Sequence, residues 1–268
     1  MEMLSQLDWA PGLSDPTSNR QAKPRTCGNT MVIDKGLGLK AYEDLLDTAA
    51  AYIDVIKLGF GTSPLYPKAI LQEKIRLASQ HDIHIIPGGT FLEIAVVQGA
   101  IADFFRSMNR FGFHGIEVSD GTIEMSRLLR NELITTARDQ GLRVFTEYGK
   151  KMHGSKVEIE ELLTTIHVDL EMGAEWVTVE GRESGIGVGF YDHEGRPAVE
   201  EMDRMLKQFS KLDKMMWEAP LKSQQVFFIQ KFGHSVNLGN ISPTDVLALE
   251  ALRRGLRSDT MKGFGPSI

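Results

Sequence analysis

The chain has 268 residues, of which 42% are apolar and 25% are charged, and its net charge is −6 at pH 7. These proportions are those of an ordinary globular protein, and the acidic balance disfavours a nucleic-acid-binding surface. No stretch approaches the roughly 20 continuous apolar residues of a membrane span. Cys27 is the only cysteine, so no disulfide can form within the chain. We therefore expect a cytoplasmic protein without nucleic-acid or membrane partners.

The first 29 residues are predicted to form an N-terminal extension. They contain Pro11, Pro16 and Pro24 and show little hydrophobic periodicity. We expect loop there, with one short helix at most. No linker or low-complexity stretch divides the rest of the chain, so residues 30–268 are predicted to form one catalytic domain.

Eight short apolar runs follow, each ending in polar residues, and they recur about every 30 residues. Near-continuous apolar runs are typical of parallel strands that are buried on both faces. Strand-plus-helix units of this length, repeated eight times, predict an α/β protein folded as a single (β/α)8 barrel. An open doubly wound sheet is the main alternative, but eight comparable units favour closure. The runs begin at Met31, Tyr52, Ile83, Gly115, Arg143, Trp176, Lys214 and Ser235.

Helical signals lie between the runs. After the fourth run, Thr122 is the predicted N-cap of a helix that Gly141 ends. Ser242 is predicted to cap the last helix, with Pro243 in its first turn. The segment 91–111 is apolar on most sides, which predicts one helix that is buried or forms a subunit contact.

Cations cluster at the carboxyl ends of the predicted strands, where barrels of this kind keep their active sites. In an acidic chain, such a cluster indicates a small anionic substrate held by charge-assisted hydrogen bonds. Lys57 lies within an apolar run, where an unpaired charge is costly, so a functional role is favoured over simple solvation. For Lys151 the two interpretations are equally favoured. The five cations are Lys35, Lys57, Lys150, Lys151 and Arg182.

Carboxylates alternate with these cations. The mouth of a barrel is the end formed by the carboxyl ends of its strands. A mouth rich in carboxylate oxygen suits Mg²⁺, which binds carboxylates, substrate oxygens and water. Structural ion pairs with the lysines are an equally good explanation for any one of them. The histidines and the cysteine show no spacing typical of a zinc site. The carboxylates are Asp34, Glu117, Asp120, Glu147, Glu180 and Glu218.

Glycine-rich turns add a third signal, at residues 88–90, 181–187 and 237–240. Backbone N–H groups in such turns bind phosphate well, and barrels often place a phosphate site after strands seven and eight. No dinucleotide-binding fingerprint or Walker loop is present in the sequence. The residues alone therefore predict a barrel enzyme that acts on a phosphorylated anion with a divalent metal.

Taken in order, the strand-end motifs resemble those of the phosphosulfolactate synthase family. The resemblance runs from Lys23 to about Arg257, and eight motifs in the right order are far more specific than any one of them. The group also has a divergent plant branch linked to heat tolerance, but the DKGLG segment from Asp34 is closer to the synthase branch. The motifs are TMVIDKGLG, VIKLGFGTS, PGGTFLE, EVSDG, TEYGKK, EGRESG, EAPLKSQQ and VNLGNI.

The resemblance implies a lyase that adds sulfite to phosphoenolpyruvate with Mg²⁺, giving (2R)-O-phospho-3-sulfolactate. Sulfite would attack C3, Mg²⁺ would stabilise the charge that builds on the carboxylate, and an acid would protonate C2. The product would serve coenzyme M biosynthesis or sulfolactate formation. The resemblance, together with the apolar segment 91–111, also implies a homo-oligomer, with a trimer as one form.

Carried onto this chain, the resemblance makes Lys150 the preferred general acid, with Lys151 as its substitute. Lys35 and Lys57 would hold the substrate carboxylate or sulfite. The predicted phosphate and substrate contacts are Arg182, Ser184, Gly185, Gly89, Thr90, Asn237, Gly239 and Asn240. The predicted metal ligands are Glu117, Glu147 and Glu180, with Asp34 in reserve.

Two other functions stay open from the sequence. A lyase of the aldolase type would use Lys57 or Lys150 to form a Schiff base, which borohydride would trap. A non-catalytic, stress-related barrel of the same family would keep the charged mouth without turnover or metal dependence. The fold alone does not decide among these functions, because barrels host many chemistries.

Overall fold

The computed structural model describes residues 9–152 and 154–261. Eight strands alternate with helices through these residues, which confirms the predicted (β/α)8 barrel. The strands are β1 (Thr30–Asp34), β2 (Val55–Leu58), β3 (His84–Pro87), β4 (Gly115–Val118), β5 (Arg143–Tyr148), β6 (Trp176–Val179), β7 (Met215–Glu218) and β8 (Asn237–Ile241).

Each strand is followed by at least one α-helix, and none of the helices in the described ranges is long and apolar enough to cross a bilayer. The helices are α1 (Pro11–Ser14), α2 (Leu39–Ala49), α3 (Lys68–Gln80), α4 (Gly89–Val97), α5 (Ile101–Phe111), α6 (Arg127–Asp139), α7 (Ile159–Met172), α8 (Val199–Leu206), α9 (Lys222–Phe232), α10 (Val246–Arg253) and α11 (Ser258–Met261).

The sheet is parallel, with the strand order β3-β2-β1-β8-β7-β6-β5-β4. Its two outer strands, β3 and β4, meet through His114, which immediately precedes β4. The backbone N–H of His114 donates to the carbonyl oxygen of Ile85 at 3.2 Å, and its ring Nδ1 accepts the N–H of Ile85 at 3.0 Å. The other ring nitrogen, Nε2, lies 2.8 Å from the hydroxyl of Ser79. One neutral imidazole therefore helps to close the barrel.

An apolar layer fills the inside of the barrel below the mouth. Successive side chains of a strand point to opposite faces, so residues two positions after the layer also point inward. Lys57, Glu147 and Glu218 stand in that position, and their charges therefore lie directly above the layer. Its members are Met31, Val55, Ile86, Phe145, Trp176 and Met216.

The segment 91–111 is two helices, α4 and α5, so the prediction of one continuous helix was wrong. Gly99 lies between them with φ 64°, a left-handed conformation that favours glycine over residues with a Cβ. The N–H of Ala100 then bonds to the carbonyl of Ala95 at 2.8 Å and closes the turn. The apolar side of α5 is buried through Phe104 and Phe105, which explains most of the segment's hydrophobic character.

The start of α6 also differs from the prediction. Its N-cap is Ser126, whose hydroxyl accepts the N–H of Leu129 at 3.2 Å, and Thr122 lies in the loop before it. Gly141 follows the helix with φ 78°, which confirms the predicted end. The last predicted helix starts later than expected, because a 3-10 turn (Pro243–Asp245) precedes α10.

The described part of the predicted extension packs against the amino-terminal ends of the strands, opposite the mouth. Arg20 forms an ion pair with Glu250 at 2.9 Å, and Arg25 forms one with Asp54, also at 2.9 Å. Lys23 donates to two loop carbonyls, at 2.8 and 3.2 Å. These contacts fix the segment beneath the barrel, and α1 is the short helix that the prediction allowed.

Protonation of His114 is expected to weaken the closure between β3 and β4. Burial lowers the pKa of His114, and it lowers that of the neighbouring His84 to about 4. A lowered pKa means that the folded state favours the neutral ring. The stabilisation by the neutral rings is therefore fully present above about pH 6.5, the pKa of histidine in the unfolded chain. It is lost as the pH falls from there through the folded values.

The variant His114→Asn keeps an acceptor for the N–H of Ile85 but does not titrate. Between about pH 6.5 and pH 5 its free energy of unfolding should fall less than that of the wild type. His114→Phe, which removes the acceptor, should be less stable than the wild type by about 1–3 kcal/mol at neutral pH, and this difference should shrink as the pH falls. Urea denaturation measures both, and equal pH slopes for the wild type and His114→Asn would refute this role.

Candidate active site

A pocket of about 100 Å³ opens at the carboxyl-terminal ends of the strands, where the sequence predicted the active site. Each of the eight strands, or the loop that follows it, contributes to its lining, so the closed barrel is what assembles it. The residues of the lining that were predicted as site residues are Lys57, Gly89, Thr90, Glu117, Glu147, Lys151, Glu180, Arg182 and Asn240.

Lys57 of β2 is buried at the bottom of this pocket among three carboxylates. Its Nζ lies 2.9 Å from Glu218, 3.1 Å from Glu117 and 3.5 Å from Glu147. The charges come from four different strands, and each side chain is at most 5% exposed. Burial alone lowers the pKa of Lys57, but the three carboxylates outweigh it and hold the pKa well above the usual value. Lys57 is therefore a permanent cation.

Lys151, which follows β5, is the second cation of the pocket. Its Nζ lies 2.9 Å from Glu147, 3.6 Å from Glu180 and 3.3 Å from the hydroxyl of Thr90. The side chain is 25% exposed, so it faces both the carboxylates and the pocket opening. Burial lowers its pKa, but the attraction of Glu147 and Glu180 prevails and raises the pKa above the usual value.

Backbone N–H groups of the mouth loops hold the carboxylates in place. The N–H of Gly89 donates to Glu117 and that of Gly181 to Glu218, both at 2.9 Å, while the N–H of Arg182 donates to Glu180 at 2.6 Å. Two glycines from the predicted phosphate-binding turns thus direct their N–H groups at the chain's own carboxylates.

The carboxylates differ in their affinity for a proton. Burial raises the pKa of Glu117 to about 7 against the opposing effect of Lys57. Burial and the nearby charge of Glu147 raise the pKa of Glu180 well above its usual value. Burial also acts on Glu147, but Lys151 and Lys57 outweigh it and lower its pKa to about 2. The pocket thus holds four buried glutamates beside the buried Lys57 and the partly exposed Lys151.

Three of these carboxylates fit a divalent cation. Glu147, Glu180 and Glu218 each offer an oxygen, and these oxygens lie within 4.8 Å of one another. Among the described residues, Oε2 of Glu180 is buried without a hydrogen-bond partner. Carboxylate oxygens are the protein ligands that Mg²⁺ prefers. Two of the three were predicted as ligands; Glu117, also predicted, instead bonds to Lys57 and to the N–H of Gly89.

Lys150, the preferred acid of the sequence prediction, does not line the pocket. Its Nζ donates to the carbonyl oxygens of Asp120 and Ile123, both at 3.0 Å, and forms an ion pair with Glu124 at 3.1 Å. The side chains of these two neighbouring lysines point in opposite directions. Lys151 enters the pocket, while Lys150 is hydrogen-bonded to the loop between β4 and α6.

Two further charged candidates, Lys35 and Asp34, also lie outside the pocket lining. Lys35 is exposed beside the mouth. Asp34 is fully buried, pairs with Lys74 at 2.5 Å and accepts the N–H groups of Gly36 and Leu37 at 2.9 and 2.7 Å. Its carboxylate is thus occupied between β1 and the helix layer, which leaves the reserve ligand away from the carboxylate cluster.

Ser184 and Gly185 lie in the loop after β6 without lining the pocket. Ser184 is exposed, whereas Gly185 is buried with φ 65°. The carbonyl oxygen of Gly185 accepts the side-chain amide of Gln224 at 2.7 Å, so this turn is packed against α9. Of the residues predicted in this loop, Arg182 is the one that reaches the lining.

Asn237 and Gly239 belong to the interior of β8 below the mouth. Asn237 begins the strand, where its side chain accepts the N–H of Asn29 at 2.9 Å and donates to the carbonyl of Met215 at 2.9 Å. A Cβ on Gly239 would lie 2.7 Å from Cε of Met31, so this glycine makes room for the apolar layer. Asn240 is the residue of this motif that lines the pocket.

Glu218 was named among the strand-end carboxylates but was left out of the predicted metal ligands. It lies two positions after the inward-facing Met216, and that alternation is the signal that would have favoured it over Asp34. Phe60 and Ile33 also line the pocket. Apolar residues at such positions carry no chemical signal in the sequence, because strand cores are equally rich in them.

A closed (β/α)8 barrel with a buried cluster of lysines and carboxylates at its carboxyl-terminal mouth defines a barrel enzyme. The particular family follows from the sequence of the whole chain. The family described as (2R)-phospho-3-sulfolactate synthase (ComA) matches residues 18–259, and the chain belongs to it.

Individual relatives agree with this assignment. The chain is 43% identical to phosphosulfolactate synthase of Methanocaldococcus jannaschii over 235 residues, 87% of this chain and 93% of that protein. It is 40% identical to the protein of the same name in Methanothermobacter thermautotrophicus over 247 residues, 91% and 95% of the two chains. The Bacillus subtilis phosphosulfolactate synthase is also 40% identical, over 243 residues and 90% and 95% of the two chains.

More distant likenesses concern the group and the fold. Protein HEAT-STRESS-ASSOCIATED 32 of Arabidopsis thaliana is 21% identical over 268 residues, 89% of this chain and 90% of that protein. Among solved structures, N-acetylneuraminate lyase from Mycoplasma synoviae superposes with a TM-score of 0.54 at 9% identity, over 88% of this chain and 77% of that one. This structural likeness shows the barrel fold alone.

Removal of the Lys57 charge is expected to destabilise the fold strongly. In Lys57→Met the side chain keeps its approximate volume, but Glu117 and Glu218 lose their cation and Glu147 keeps only Lys151. We expect the free energy of unfolding to fall by about 3–5 kcal/mol at neutral pH. Lys40→Met, at an exposed position of α2, is the matched control and should change it by less than about 0.5 kcal/mol. Urea denaturation would disprove this role if the two variants were equally stable.

Proposed function

We propose that this protein is a phosphosulfolactate synthase that adds sulfite to phosphoenolpyruvate with Mg²⁺ as its cofactor, giving (2R)-O-phospho-3-sulfolactate. The observation that carries the proposal is the cluster of Glu147, Glu180 and Glu218 beside Lys57 and Lys151, in a chain of this family. The substrates are two small anions, and both fit the character of a small, charged pocket.

The charge balance of the pocket supports a metal cofactor. Four buried glutamates face two lysines, and the raised pKa values of Glu117 and Glu180 indicate that the pocket resists four negative charges beside two positive ones. A divalent cation held by Glu147, Glu180 and Glu218 would let these carboxylates ionise beside an anionic substrate. When bound, Mg²⁺ supplies a Lewis acid that stabilises negative charge on the substrate carboxylate.

The reaction forms one carbon–sulfur bond and adds one proton. The sulfur lone pair of sulfite bonds to C3 of phosphoenolpyruvate, and the electrons of the C2–C3 double bond move toward the carboxylate. A proton is then added to C2 on one face, and the phosphate ester stays intact. The pocket's part is to hold two anions of like charge together, which lowers the entropic barrier. Lys57, as a permanent cation, supports the carboxylates around which this happens.

Lys151 is the proton donor that we propose for C2. Its Nζ lies in the pocket 2.9 Å from Glu147, and its ammonium group carries the proton to be transferred. After transfer it regains a proton from solvent, to which it is partly exposed. We propose that Arg182, Asn240 and Thr90, which line the pocket opening, hold the phosphate.

The Schiff-base alternative finds no support in the geometry. An imine requires a neutral amine, and Lys57 is held as a cation by three carboxylates. Lys150 donates to two carbonyl oxygens away from the pocket. A non-catalytic, stress-related barrel remains the other alternative. The synthase name of the relatives at 40–43% identity, against 21% for the plant protein, favours catalysis.

The purified protein should form phosphosulfolactate from phosphoenolpyruvate and sulfite when Mg²⁺ is present. Mass spectrometry of the reaction mixture detects the product, and reactions without sulfite are the control. Addition of a chelator should abolish turnover, and excess Mg²⁺ should restore it. A folded protein that makes no product in the presence of Mg²⁺ would count against the proposal and favour the non-catalytic alternative.

Replacement of the two neighbouring lysines should separate their roles. Lys151→Met should lower kcat by about 100- to 10,000-fold, the usual contribution of a general acid. Lys150→Met should lower kcat less than about tenfold, because it removes a loop contact rather than the donor. Steady-state kinetics on both variants make the comparison. A greater loss in Lys150→Met would return the acid role to Lys150.

A further inference from the structure

Glu93 is a buried carboxylate outside the pocket lining, and the chemistry proposed above does not use it. It lies one turn into α4 and is 1% exposed. Its oxygens accept the hydroxyl of Ser119 and the N–H groups of Gly121 and Thr122, at 3.1 and 3.0 Å for the two amides. Among the described residues no cation pairs with it, so backbone and hydroxyl donors alone balance its charge.

All three donors belong to the loop that connects β4 to α6. This loop contacts Lys151, which lies after β5. The N–H of Lys151 donates to the carbonyl oxygen of Gly121 at 2.9 Å. A Cβ on Gly121 would lie 3.0 Å from both Cγ and Cε of Lys151, so the lysine side chain packs directly over this glycine. The loop therefore sets both the backbone and the aliphatic chain of Lys151.

These contacts form a short path from α4 to the ammonium group. Glu93 binds the N–H of Gly121, the carbonyl of Gly121 binds the N–H of Lys151, and the side chain of Lys151 then reaches Glu147. A carboxylate accepts several hydrogen bonds and donates none, which is what three converging donors require. The same helix begins at Gly89, whose N–H holds Glu117.

We propose that Glu93 is a positioning residue for Lys151, acting through the loop between β4 and α6. The geometry alone shows that the loop fixes the position of Lys151, whereas the effect of that position on turnover rests on the proposed function. An error of about 1 Å in the position of a reacting group costs on the order of 100-fold in rate. Glu93 thus supports the site by keeping the donor at a fixed distance from the substrate.

The variant Glu93→Gln tests the proposal, because the amide presents N–H groups to a set of donors. Hydrogen–deuterium exchange should accelerate about tenfold at the amides of Gly121, Thr122 and Lys151, the effect of losing one hydrogen bond. Exchange in β2 should not change. The matched control is Glu132→Gln, an exposed carboxylate on α6, which should exchange at the wild-type rate throughout.

Kinetics on the same variant separate positioning from stability. In Glu93→Gln, kcat should fall on the order of 100-fold while the KM for phosphoenolpyruvate changes less than about threefold. The product should also lose stereochemical purity at C2, because solvent would then protonate both faces. A loss of folded protein with unchanged exchange at Lys151 and an unchanged product would overturn the proposal, since that is the result of a structural role alone.

A second variant, Gly121→Ala, changes the position of Lys151 directly. The added methyl group would lie 3.0 Å from Cγ and Cε of Lys151 and from the carbonyl oxygen of Gly149, so the lysine side chain would have to shift. This shift should lower kcat and stereochemical purity in the same way. If Glu93→Gln does not fold, this variant still tests whether the loop positions Lys151, and wild-type turnover in Gly121→Ala would refute the proposal. Wild-type exchange at Lys151 and wild-type turnover in both folded variants would refute the proposal. A wild type that forms no product would refute the proposed function instead, while the exchange data still test the hold on Lys151.

Discussion

The mouth of the barrel depends on one ammonium group, that of Lys57, buried among carboxylates from three other strands. Buried charges are tolerated only when they are paired and hydrogen-bonded. Lys57 satisfies that condition only through Glu117, Glu147 and Glu218. Glu117 and Glu218 in turn depend on Lys57, whereas Glu147 also pairs with Lys151. Closure of the barrel brings them together, so the fold and the charged centre stabilise each other.

The glycines of the mouth serve this charged centre. Gly89 and Gly181 donate their N–H groups to Glu117 and Glu218, and each lies too close to a neighbour for a side chain. A Cβ would lie 2.4 Å from Oγ of Ser119 at the first position and 2.8 Å from the carbonyl oxygen of Glu218 at the second. Two motifs that resemble phosphate-binding turns in the sequence therefore support the protein's own carboxylates.

Two adjacent lysines, Lys150 and Lys151, have different contacts. Lys151 points into the pocket and pairs with Glu147, while Lys150 points away and binds the carbonyl oxygens of the loop between β4 and α6. Glu93 binds the N–H groups of that loop from the other side. The loop that contacts Lys151 is thus bound by Glu93 on one side and by Lys150 on the other, and neither of these residues lines the pocket.

The sequence by itself determined the eight-unit barrel, because period and burial pattern are local properties of the chain. It also placed Lys57, Glu147 and Glu180 at the mouth, because inward-facing charges at the ends of apolar strands have few other places to go. Only the tertiary structure decided that Lys151 rather than Lys150 enters the pocket and that Asp34 pairs with Lys74. Such choices depend on loop direction and on partners distant in the chain, and no local pattern records either.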